Sequence, residues 1–339
     1  MDNKTKIKML LLTGAACISV ILGVGIGSVF IPPADILAIL GNRLAGRRAS
    51  DAINPIYNSL VMDMRLPRVL LAFLVGAALS ASGTVMQSVL KNPLASPFGL
   101  GISAGAGLGA ALVIVSGMSA GFLGFFMLPV FSFGSGLLTV VLVMGIASRI
   151  DRRMSNTTIV LIGMVVSLFF TAIMNLLATI SPEYAQRINL WQLGSFSMKD
   201  WGSVWVLFPV TALCLIIFQS SAKEMDIMTF GEEQAQSIGV DLKRSKWGLM
   251  LCVAVLAGTA VAFSGIIGFV DLIAPHVVRR FFGSSHRKVL PASALFGGTF
   301  MVLCDLAART LTPPKEIPIG TITALIGVPF FIYIYFGKR

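Results

Sequence analysis

Residues 223–247, KEMDIMTFGEEQAQSIGVDLKRSKW (Lys223 to Trp247), are the longest charged interruption in a chain that is otherwise almost continuously lipid-compatible. Thr229 and Glu232 stand at the Ser/Thr-x-x-Glu spacing of a capping box. Glu232 and Glu233 put negative charge where a helix N-terminus favours it, and Gly239 suits a left-handed C-terminal cap. The spacing predicts a helix of about two to three turns. Isolated helices shorter than about 12 residues are marginal in water, so this one needs a surface to dock on, with Phe230, Ala235 and Ile238 as its apolar contacts. An ordinary amphipathic loop helix fits the same spacing.

On either side of this stretch the composition is that of a membrane protein. The chain has 339 residues, of which 56% are hydrophobic and 12% charged, and its mean hydropathy is +0.87. Most of that length could not be hidden from water in a soluble domain. A spanning helix needs about 20 largely apolar residues. Candidate segments begin near Ile7, Val69, Phe98, Phe122, Thr157, Trp201, Trp247, Phe269, Val289 and Ile317, which predicts an all-α polytopic fold of about ten transmembrane helices. The segment from Phe269 to Phe282 is short and contains Pro275.

Lys4, Lys6 and Lys8 ahead of an apolar run resemble the start of a signal peptide, and Cys17 after Gly14-Ala15-Ala16 a lipoprotein cleavage site. The run continues to Phe30, longer than a signal core, so a retained first helix is expected. Cys17, Cys214, Cys252 and Cys304 all lie in apolar segments without metal-ligand spacing and read as small core residues.

With ten spans and a cytoplasmic N-terminus, most of the basic residues fall inside, among them the three N-terminal lysines, Lys91, Arg149, Arg152, Arg153, Lys223, Lys243, Arg244, Lys246, Arg279, Arg280, Arg287, Lys288, Lys338 and Arg339. This satisfies the positive-inside rule and accounts for the net charge of +11 without nucleic acid. Residues 223–247 then face the cytoplasm, as does the C-terminus. The outer segment Pro32 to Met64, with Arg43, Arg47 and Arg48, runs against the rule.

Arg65-Leu66-Pro67-Arg68 is expected to open the second helix, whose Gly76, Ser80 and Gly83 make a small-residue face for close packing. Asn92-Pro93 ends it in a turn. Gly101, Gly105 and Gly109 form a doubled GxxxG, again a packing signal. Ser155-Asn156-Thr157-Thr158 starts the fifth span, which carries Asn175, and Arg187 to Gly194 reads as a short interfacial helix anchored by Trp191. Asp271, Pro275 and His276 lie within six residues, and Asp305 and Arg309 share a helix face and are expected to pair.

No nucleotide-binding GxxxxGK[ST], no HExxH and no His/Cys cluster is present, so neither a self-sufficient ATPase nor a metal site is expected. Apart from Asp271 and Asp305 the spans lack carboxylates, which disfavours a proton relay. An intramembrane enzyme would have Asp271 and His276 as its pair; a channel or structural membrane protein is a third possibility. A cytoplasmic helix with no core of its own favours work delivered by a partner.

RLPRVLLAFLVGAALSASGTVMQ (Arg65 to Gln87), NPLASPFGLGISAGA (Asn92 to Ala106), GEEQAQSIGV (Gly231 to Val240), GFVDLIAPHVVR (Gly268 to Arg279) and EIPIGTITALIGVPFF (Glu316 to Phe331) together resemble the FecCD family of permease subunits. That family serves type II ABC importers of iron-siderophore complexes, haem and vitamin B12. The resemblance implies one permease domain over residues 1–339, with residues 223–246 as its coupling-helix loop. It implies two permease subunits, alike or paralogous, around a central pathway in a bacterial cell membrane, ATP-binding subunits below and an extracellular or periplasmic binding protein above. The permease itself would be neither enzyme nor cofactor protein, ATP being bound by the partner. By position, Thr229, Glu232, Glu233, Ala235 and Gly239 fall in the ATPase-coupling segment and Asn156 and Thr157 at the cytoplasmic gate. Arg65, Arg68 and Arg309 match outer residues that meet acidic groups of the binding protein. Asp271 stands where the family more often has Gly. An iron-siderophore is the expected cargo, with haem and cobalamin as alternatives.

Overall fold

The computed structural model describes residues 3–46, 54–118, 124–151, 154–239 and 241–336. In chain order its helices are α1 (Asn3–Gly25), α2 (Pro33–Leu44), α3 (Pro55–Ser59), α4 (Leu66–Val89), α5 (Ile102–Val115), α6 (Gly124–Ile150), α7 (Asn156–Ile180), α8 (Pro182–Gln192), α9 (Trp201–Ser220), α10 (Ala222–Phe230), α11 (Glu232–Ser237), α12 (Leu242–Ser264), α13 (Val270–Phe282), α14 (His286–Thr310) and α15 (Ile319–Phe336). Each of the ten expected segments is helical. Seven are long and apolar enough to cross a membrane, and α5, α13 and α15 are the shorter ones.

The helix at the centre is α4, packed against α9, α12, α13 and α14. In its apolar stretch 83% of residues are buried, against 17% in α7. Its small-residue face is what permits this: Gly83 lies against the backbone of Asp271 in α13, where any Cβ would overlap the carbonyl. The doubled GxxxG does the same for α5. A Cβ on Gly105 would collide with Thr139 of α6, and one on Gly109 with Phe131 and Ser135.

Two expectations about helix ends need correction. The second span does not open at Arg65, because helix begins at Pro55 and reaches α4 through a π-helical turn, Leu60–Arg65. Leu66 N bonds Val61 O across that widened turn. Pro67 lacks an N–H and its ring needs room at the carbonyl four residues back, and a π turn supplies that room without ending the helix. The interfacial helix α8 begins at Pro182 rather than Arg187, with Pro at its first position.

The eighth segment is helical but short. With 13 residues, α13 spans about 20 Å of a hydrocarbon core of about 30 Å. The non-helical run 265–269 precedes the helix. Exposed backbone is tolerated at depth only inside protein. Here Ser264 O accepts from Ser195 N at 2.8 Å, and Gly194 O and Leu193 O hold the start of α15 through Ile319 N and Gly320 N. At the opposite end Lys8 Nζ donates to Phe281 O at 2.7 Å and Gln219 Nε2 to Arg287 O at 3.0 Å. The ends of α1, α9, α13 and α14 therefore share one face.

Candidate coupling and gating site

The charged stretch folds as two short helices followed by the first turns of α12, on the face that carries Lys8 and Arg287. Thr229 does not cap α11. It lies inside α10, with its hydroxyl donating to Asp226 O at 2.6 Å, and the N-cap of α11 is Gly231, without a side-chain cap. The capping-box reading fails because α10 runs on to Phe230, so Thr229 satisfies its hydroxyl within its own helix. The side chains of Glu232 and Glu233 lie outside the described residues. Gly239 does hold the left-handed conformation, at φ +94°, and its N–H closes the helix on Gln236 O at 2.9 Å. Of the three apolar contacts, only Ala235 is buried, against Met228 and Leu242. Phe230 and Ile238 are 80% and 68% exposed.

Two buried contacts tie the legs of this loop to different helices. On the α10 side, Asp226 accepts from His286 N at 2.9 Å, contacts His286 Nδ1 at 2.5 Å and accepts from Ser285 Oγ at 3.3 Å. It thereby caps α14 from another part of the chain. His286 Nε2 meets Ser88 Oγ at the end of α4. These three residues line a cavity of about 480 Å³ with Gln87, Lys91, Arg279 and Phe230. Their order is that of a Ser-His-Asp relay, which no sequence spacing announced because the residues lie on three helices. Ser88 sits at the carbonyl end of α4, where the helix dipole opposes a developing oxyanion, so the arrangement suits a brace rather than a nucleophile.

On the α12 side, Asp241 caps the helix through Arg244 N at 3.1 Å, and Lys246 is 1% exposed. Lys246 Nζ donates to Met154 O and to Asn156 Oδ1, both at 3.0 Å. It is therefore not a free member of the cytoplasmic positive charge. Ser155 caps α7 through Thr158 N at 3.4 Å, and Asp151 Oδ2 accepts from Ser155 N at 2.8 Å. Asn156 is thus held from α12, while Thr157 beside it is exposed.

At the outer end, the three arginines turn inward. Arg65 is 7% exposed and donates to Val24 O, Gly25 O and Val29 O at 2.9, 3.1 and 2.6 Å. Arg68 forks onto Asp305 and Glu316, both at 2.8 Å, and Arg309 pairs with Asp305 at 3.5 Å and reaches Gly23 O. The Asp305–Arg309 pair stands as expected. Arg65 and Arg309 do not present their charge outward, because the last carbonyls of α1 need donors that α1 itself cannot supply. Arg47 and Arg48, on the same outer segment as Arg43, lie outside the described residues.

Asp271 and His276 are not brought together. Five residues place them about 140° apart around α13, and Asp271 Oδ2 accepts from Ser96 Oγ instead.

This arrangement of spans and loops recurs in known proteins. The FecCD transport family matches over residues 15–336. The chain belongs to that family. Among FecCD relatives, the uncharacterized ABC transporter permease protein YvrB of Bacillus subtilis is 40% identical over 318 residues, covering 94% of this chain and 90% of the relative. The hemin transport system permease protein HmuU of Yersinia pestis is 36% identical over 280 residues, covering 82% and 83%. A solved chain described as a metal-chelate type ABC transporter in an inward-facing conformation superposes with a TM-score of 0.83 at 32% identity, covering 97% of this chain and 99% of that one. The chain is accordingly a multi-pass ABC permease subunit of FecCD type, and its partners are those of an ABC transporter.

Proposed function

We propose that this permease imports a metal chelate, an iron-siderophore in first place, across a bacterial cell membrane, with both termini in the cytoplasm. The chemistry of its relatives supports the class of cargo, since one carries hemin and another is of metal-chelate type. Two such subunits, identical or paralogous, enclose the pathway in this reading. The open face of α7, with Leu161, Val165, Leu168 and Phe169 all exposed, meets the partner subunit and the pathway, and lipid covers the outer helices.

The observation that carries the coupling assignment is α11: six residues pinned through Ala235 while Phe230 and Ile238 face outward. A helix so short is not stable on its own, and apolar side chains left exposed at the cytoplasmic end fit a cleft in an ATP-binding subunit. In this reading Glu232, Glu233, Ala235 and Gly239 belong to the coupling helix, and Asn156 and Thr157 to the gate. Of the three arginines we assign docking of the binding protein to Arg68 alone. Its partner Glu316 is 38% exposed, so an incoming carboxylate can compete for the guanidinium, whereas Arg65 and Arg309 are committed to α1.

The test is uptake into proteoliposomes holding this chain, its ATP-binding subunits and its binding protein, with a ferric hydroxamate and hemin compared as cargo. Uptake is expected to require ATP and to survive collapse of the proton gradient, because the buried acids among the described residues are Asp271 and Asp305, and Asp305 is already paired. Uptake driven by a pH gradient without nucleotide overturns the proposal. Preference for hemin over the hydroxamate overturns the siderophore assignment.

A further inference from the structure

We propose that Lys246 is the positioning residue that carries displacement of the coupling helix to the first turn of α7. This rests on the coupling reading above. The two legs of the loop are held at different points: Asp226 bolts α10 to the start of α14 and, through His286, to the end of α4. Lys246 bolts the start of α12 to the turn between α6 and α7. A movement of α11 that shifts the start of α12 is then passed by Lys246 to Met154 and Asn156.

The nature of the second bolt suits transmission. Lys246 is 1% exposed, and the acceptors that replace water around its Nζ include Met154 O and Asn156 Oδ1. A buried charge is costly to strand, so the bonds resist both pulling and pushing. An apolar contact at the same place would slide. Met154 and Ser155, beside it, are held in turn. Met154 is fully buried with φ +51°, a conformation that a side chain other than Gly adopts only when its surroundings enforce it. Asp151 closes the turn onto Ser155 N at 2.8 Å. Lys246, Met154 and Asn156 thus form one bonded link, ending one residue before Thr157.

The experiment uses the complete transporter in lipid nanodiscs, with the four cysteines replaced and spin labels at two pairs of exposed positions, Lys91 with Gln236 and Lys91 with Thr157. Lys91 reports the α4 end, Gln236 the coupling helix and Thr157 the gate. With ATP and vanadate, both distances are expected to shift in the parent. Lys246→Met should keep the shift at Gln236 and lose at least half of that at Thr157. Asn156→Ala, which leaves the bond to Met154 O in place, should lose part of the Thr157 shift, and Asn156→Asp should retain it. Should Lys246→Met fail to assemble, Asn156→Ala decides. A full Thr157 shift in Asn156→Ala, or in an assembled Lys246→Met, overturns the proposal. A parent that shows no shift at Gln236 overturns the coupling reading and this proposal with it.

Discussion

Asp305 shows how much one residue holds at the outer end of the bundle. Its side chain is fully buried between the guanidinium groups of Arg68 and Arg309, and those arginines in turn touch Glu316 and the end of α1. Removing one member of a buried charge set leaves the others uncompensated, typically at about 3–5 kcal/mol. An exposed pair is worth about 0–1 kcal/mol. Asp305→Asn is therefore expected to lower the thermal midpoint of the detergent-solubilised chain markedly, while Glu316→Gln leaves it nearly unchanged. Equal midpoints for the two variants would show that the outer network carries no stability. The pairing of Asp305 with Arg309 was legible in the sequence, because i,i+4 spacing on a helix fixes a shared face. The inward turn of Arg65 and Arg68 was not. It depends on where α1 and α14 end in space, and two arginines at the head of a span read equally well as lipid anchors or as docking groups.

At the scale of elements, hydropathy located ten helical segments, seven of them long and apolar enough to cross, since the bilayer's thickness sets a length that few soluble helices meet. Helix starts were harder to read. The π turn before α4 leaves no mark in hydropathy, and the capping-box spacing misplaced the start of α11 because α10 was not visible as a separate helix. The C-terminal cap was legible, since Gly239 was marked by chemistry that only glycine supplies without strain. A Cβ at Gly239 meets nothing within 4 Å, so substitution there acts through the backbone alone. Gly239→Val should cost about 1–3 kcal/mol at a positive-φ position, enough to fray a helix of six residues. Gly248, equally open to a Cβ but inside α12, is the control. ATP-binding subunits are expected to co-purify several-fold less with Gly239→Val and undiminished with Gly248→Val. Equal recovery would remove α11 from the ATPase contact.

For the whole molecule, the lasting asymmetry is between α4, enclosed on nearly every side, and α7, left open. In the proposed pairing of subunits, α7 is the face left to be covered. The short α13 bears on how such a bundle is made in the first place. While the ribosome is still emitting the C-terminal third, a segment with Asp271, His276, Arg279 and Arg280 in 13 residues is too short and too charged to be released sideways into lipid on its own, where each central charge costs about 2.5–3.5 kcal/mol. In the folded chain it lies against α4, with Asp271 on Gly83, so α4 already in place would offer it a receiving surface. The orientation of the last two spans would then depend on a helix synthesised some 200 residues earlier. Gly83→Leu should close that groove. A cytoplasm-active reporter fused after Gly283 should fall silent in the variant and a periplasm-active one should light up. Unchanged reporters would mean that α13 crosses unaided. With the reporters exchanged, the direction of late threading is a property of early packing.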